Sequence, residues 1–137
     1  HWMTRMEPEP LAAPTGLVWA EQPPLPPAEH FPTLDLDKPQ RQRGGRSLAL
    51  ALLDSFLHQR GQHYRSEMSS PLSAESACSR LSAHLAWGTL SIREAAHATW
   101  ARRRALMAWP KDERPPGFLA SLQSFEGRLH WHCHFIQ

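Results

Sequence analysis

Cysteine is scarce in this sequence, with two in 137 residues. Cys78 and Cys133 stand apart and outside any framework spacing, which argues against a disulfide-stapled secreted module and fits a reduced, cytoplasmic protein. No secretory core segment is visible and no apolar run approaches the length of a membrane span, so a soluble chain with no membrane partner is expected. An excess of either sign is missing: the formal net charge is +2 with a pI near 8.9, which permits contact with nucleic acid or a phosphate-bearing cofactor without demanding either. Strict apolar–polar alternation is missing throughout, as is any internal repeat, and this leaves an all-α class. No serine or cysteine sits in a nucleophile-elbow pattern and no acid is matched to a particular histidine, so nucleophilic catalysis has little support. Tyrosine occurs once, at Tyr64.

Proline, by contrast, is concentrated. Nine of the thirteen prolines fall within residues 1–43, a stretch that cannot run as a helix or a central strand because proline lacks a donor and blocks helical pairing. Residues 1–43 are therefore expected to be an extended linker, and residues 44–137 a helical domain. Leu17, Val18, Trp19, Phe31, Leu34 and Leu36 give the linker enough apolar character to lie against a domain surface, and partial disorder is the alternative expectation. The odd start, His1-Trp2-Met3, and a last helix that stops in mid-pattern at Gln137 lead us to expect that the chain is a piece of a longer protein.

Three helices can be read from spacing. After Gly44-Gly45, Leu48, Leu52 and Phe56 run down one line and Ala49, Leu53 and Leu57 down the next, with Gly61 placed to end the helix. Gln62 to Pro71 reads as loop. Ser91-Ile92-Arg93-Glu94 has the form of a capping box, so a helix starts at Ile92 and must finish before Pro110, with Arg102, Arg103 and Arg104 near its end. Lys111 to Gly117 is a charged, proline-bearing loop. The last helix opens near Phe118, and Leu122, Phe125, Leu129, Cys133 and Ile136 continue its apolar face, weakened in the middle by Gly127.

Between these helices lies the stretch with the most chemistry, Cys78 to Gly88. Ser79, Arg80 and Ser82 precede a short apolar run, which suits an anion held at a helix start, with Ser82 as the N-cap and Gly88 as the left-handed close. A zinc site at His130, Cys133 and His134 lacks a visible fourth ligand and is set aside. A helix-turn-helix centred on Gly88, with Arg93 near the start of a recognition helix, is the DNA-reading alternative, but the helix after it is rich in alanine and poor in groups that read bases.

Ser79-Arg80-Leu81-Ser82, His84-Leu85, Gly88, and then Ser91 and Arg93 resemble the signature of the flavin-binding catalytic domain of the DNA photolyase and cryptochrome family. Gly44-Gly45 before a long helix, Tyr64 ahead of the signature, and Leu129-His130-Trp131 in a late helix extend the resemblance over residues 44–137. It implies the N-terminal part of an all-helical FAD-binding domain, in which Tyr64, Ser79, Arg80, Leu81 and Ser82 contact the cofactor. Trp131 matches a tryptophan that lines the lesion pocket, and Arg128 and His132 stand where many photolyases place Glu and Arg beside flavin and lesion. Ala83 replaces the usual proline, a mild change in a helix-forming position.

The function so implied is that of a light-dependent lyase in which reduced FAD passes an electron to a pyrimidine dimer in damaged DNA. The alternatives are a cryptochrome-like blue-light sensor and a small helical module that binds DNA or protein without flavin. An N-terminal antenna domain and further FAD-domain helices are the other partners implied. Residues 1–137 alone then hold an incomplete FAD site and no catalytic residue, and are expected to be inactive by themselves.

Overall fold

Gly45, at φ 115°, leads directly into the first helix of a computed structural model that describes residues 15–18, 21, 24, 27, 38 and 41–136, with side chains through His132. The helices are α1 (Arg46–His58), α2 (Tyr64–Glu67), α3 (Ala74–Ala77), α4 (Ser82–Ala86), α5 (Ile92–Ala108) and α6 (Phe118–Ile136), with a 3-10 turn (Arg60–His63) between α1 and α2. No strand occurs among the described residues. Most of the proline-rich segment expected as a linker lies outside them, as do the side chains of Cys133 and His134. No helix among them is long and apolar enough to cross a membrane.

Ser91 caps α5 as its sequence predicts. The Ser91 hydroxyl accepts from the Glu94 amide at 3.1 Å, and the Glu94 carboxylate accepts from the Ser91 amide at 2.9 Å. The same carboxylate pairs with Arg46 at the start of α1, at 2.5 Å, so one acid both opens α5 and ties it to α1. That guanidinium holds the Glu94 carboxyl at a pKa of about 2, well below the usual carboxylate range. At the other end Arg114 donates to the carbonyls of Met107 and Trp109, occupying acceptors that the helix itself leaves open.

Packing is built on an aromatic trio from three elements. Phe56 of α1, Tyr64 of α2 and Phe125 of α6 lie with ring centroids 4.6 to 5.9 Å apart. Around them Leu53, Leu57, Leu81, Leu90, Leu106, Phe118, Leu122 and Leu129 are buried. Burying each such side chain contributes about 1.5–3 kcal/mol. On α5 the inward residues are Leu106 and three small ones, Ala95, Ala96 and Thr99, and Thr99 returns its hydroxyl to the Ala95 carbonyl at 2.7 Å. Leu48, expected on the apolar stripe of α1, is instead 44% exposed, and the stripe narrows to Ala49, Leu53, Phe56 and Leu57.

Two expectations need correction here. Gly61 does not end α1: the helix stops at His58, and Gly61 is buried inside the 3-10 turn, where a Cβ would lie 2.5 Å from the Phe56 carbonyl oxygen. It is a glycine of close approach, not of a helix cap. Gln62 to Pro71, read as loop, contains the end of that turn and all of α2. Ser121 of α6 holds this segment, donating to the Gln62 carbonyl at 2.7 Å and accepting from the Arg65 amide at 3.2 Å.

Candidate functional site

Tyr64 is buried at the start of α2, set edge-on against Phe56 and Phe125. Burial raises the pKa of its phenol, the nearby Cys78 thiol adds to the rise, and the neighbouring Arg128 guanidinium opposes it. Tyr64 and Arg128 therefore meet, together with the residue that begins the signature stretch. Trp131 and His132 follow Arg128 at three and four residues on α6, which places all three on one side of that helix. Trp131 is 53% exposed, and His132 is half-buried, its Nδ1 buried and without a hydrogen-bond partner among the described residues.

The signature segment itself divides. Leu81 is 1% exposed and belongs to the same core cluster as Tyr64. Ser79 is half-buried, while Arg80 and Ser82 are exposed. Arg80 takes φ 62°, the one left-handed residue other than glycine among those described, and this conformation is uncommon for a long side chain. Ser82 is not the N-cap expected of it: Leu81 holds that position, and its side chain can make no cap. The left-handed step at Arg80 brings the chain into α4 one residue early, so the Ser82 hydroxyl starts the helix from inside and stays exposed. Gly88, at φ 68°, does close the turn after α4 as predicted. With five residues, α4 is also too short for the first helix of a helix-turn-helix.

Sequence reasoning missed Arg60. Its guanidinium reaches the carbonyls of Leu52, Ser76, Cys78 and Ser79 and the hydroxyl of Ser55. Burial lowers the pKa of Arg60, and the neighbouring charge of Arg80 lowers it further. The backbone carbonyls it serves leave no trace in a side-chain pattern. His84 was quoted only as part of the motif, yet it is 2% exposed, with Nδ1 3.0 Å from the Thr89 hydroxyl. That pair ties α4 to the turn after it, while the His84 Nε2 is buried without a hydrogen-bond partner among the described residues.

A separate apolar groove of about 560 Å³ runs between α1 and α5, lined by Leu50, Leu53, Leu57, Ala98, Ala101 and Ala105 with Asp54, His58 and Arg102 at its sides. None of the candidate residues lines it.

No protein-family model, curated protein or solved structure matches the chain.

Proposed function

We propose that residues 44–137 form one wall of an FAD cradle in a light-dependent, photolyase-like flavoprotein of the cytoplasm. The observation that carries this reading is the surface built by Arg60, Arg80 and the left-handed segment between Ser79 and Ser82. The Arg60 guanidinium behind the segment adds its charge to that of Arg80, which makes this surface cationic and suits it to an anion. The diphosphate of a dinucleotide is an anion of suitable charge. Exposed Ser82 offers it a hydroxyl and exposed Arg80 a cation, and both lie next to the buried Leu81 that anchors the segment in the core.

Tyr64 and Arg128 extend the wall towards α6. In this reading Arg128, Trp131 and His132 serve the substrate side, where the exposed indole of Trp131 offers a face on which a flipped pyrimidine can stack. When bound, the cofactor supplies a light-driven electron. This chain's own residues bind, orient and neutralise charge.

The test is flavin content in the full-length natural protein and in its Arg80→Ala and Ser82→Ala variants. Loss of an ion pair and of a hydroxyl contact is expected to lower flavin retention in both, the arginine variant more strongly. Unchanged retention in both variants refutes the site.

A further inference from the structure

Arg60 is costly where it stands. It is a half-buried cation whose donors are spent on backbone carbonyls and one hydroxyl, and no carboxylate pairs with it among the described residues. An apolar side chain of similar volume would avoid that desolvation cost but leave these acceptors without their donor. What an apolar side chain lacks is the planar fork, with donors at fixed angles that can hold several acceptors at once.

Its acceptors fall into two groups. Nε donates to the Ser55 hydroxyl at 3.0 Å and Nη2 to the Leu52 carbonyl at 3.1 Å, which fixes the guanidinium on the C-terminal half of α1. Nη1 donates to the Cys78 carbonyl at 2.5 Å and the Ser76 carbonyl at 3.3 Å, and Nη2 also reaches the Ser79 carbonyl at 3.3 Å. The second group ends where the left-handed residue Arg80 begins. An uncommon backbone conformation persists only where its surroundings hold it, and the carbonyl immediately before Arg80 is one that Arg60 holds.

We propose that Arg60 is the positioning residue of the 79–82 segment: its fork pins the carbonyls of Ser76, Cys78 and Ser79 to α1 and so keeps the turn at Arg80 formed before any ligand arrives. The inference rests on reading that segment as the cofactor-binding one. Pre-organisation of this kind improves affinity by removing the ordering cost from the binding step. It assigns Arg60 no contact with the ligand.

Arg60→Lys keeps the charge and removes the fork, and Arg60→Gln keeps a planar donor group and removes the charge. In the full-length natural protein, amide hydrogen exchange and FAD titration are measured for both. In Arg60→Lys, the hydrogen-bonded amides on either side of the turn, Cys78 and Leu85, are expected to exchange about tenfold faster or more, and FAD to bind about tenfold more weakly or worse, while amides within α5 and α6 keep their protection. Arg60→Gln is expected to do the same.

Unchanged exchange at Cys78 and Leu85 overturns the proposal, and so does faster exchange there with unchanged FAD affinity. Protection lost evenly over α1, α5 and α6 in both variants also overturns it, because Arg60 then serves the core as a whole. A full-length natural protein that takes up no FAD at all removes the cofactor reading, while the exchange pattern still decides whether Arg60 holds the segment.

Discussion

Gly61 faces the Phe56 backbone and ring so closely that a methyl group there needs the turn or the ring to move: the Phe56 carbonyl oxygen would be 2.5 Å away and ring carbon Cε2 3.0 Å. Gly61→Ala is expected to destabilise the domain by roughly 1–3 kcal/mol, the usual cost of overpacking, read as a lower urea midpoint at unchanged slope. A wild-type midpoint would remove the close-approach argument. From sequence, a glycine just after a helical stripe reads as a cap. Nothing in the pattern distinguishes that use from a glycine pressed against an aromatic side chain five residues back.

Tyr64 offers a second check, because as the only tyrosine it titrates without interference from another phenol. Burial and the Cys78 thiol place its pKa above the ordinary value of 10.0, so ionisation opposes folding as the pH rises past that value. Tyrosinate absorbance is expected to appear only above the free-tyrosine range. Arg128→Gln is expected to push it higher still, because Arg128 is the group that lowers it. A downward move in that variant would separate Tyr64 from Arg128.

Among the elements, α1, α5 and α6 were legible because each carries its own instructions: a leucine and alanine stripe, a reciprocal cap at Ser91, or an aromatic repeat closed off by loop prolines. Of the short helices, α4 was legible from its apolar run and the closing Gly88, and α2 and α3 were not. α2 and α3 have four residues each, too few to show a period, and Ser121 and Arg60 hold their flanks from elsewhere in the chain. Tertiary contacts of this kind leave no local signal.

The joint between α1 and α5 has a pH signature. Glu94 has a folded pKa near 2 against an ordinary 4.5, so its ion pair with Arg46 contributes fully above about pH 4.5 and is lost as the pH falls towards 2. Glu94→Gln can still accept from the Ser91 amide but carries no charge. Its melting temperature is expected to fall less steeply than the wild type's between pH 4.5 and 2. Parallel curves would remove Glu94 from the acid response.

For the molecule as a whole, the candidate site was legible only in part. Ser79 to Ser82 and Tyr64 stand close together in sequence, and a motif reveals them. The meeting of Tyr64 with Arg128, and the clamp of Arg60 on the segment, depend on how α6 and the 3-10 turn pack, which no local pattern encodes. The cap assigned to Ser82 failed for a physical reason: the left-handed residue at Arg80 starts the helix early. The same step leaves the Ser82 hydroxyl exposed, where a ligand can use it. The α1–α5 groove, far from these residues in composition and lining, plays no part in the flavin reading.

The most direct test is the absorption spectrum of the purified full-length natural protein, with the flavin identified after it is released by denaturation. Stoichiometric FAD that bleaches on photoreduction is the expected result. A folded, colourless protein that takes up no FAD from solution would show that the cradle reading is wrong.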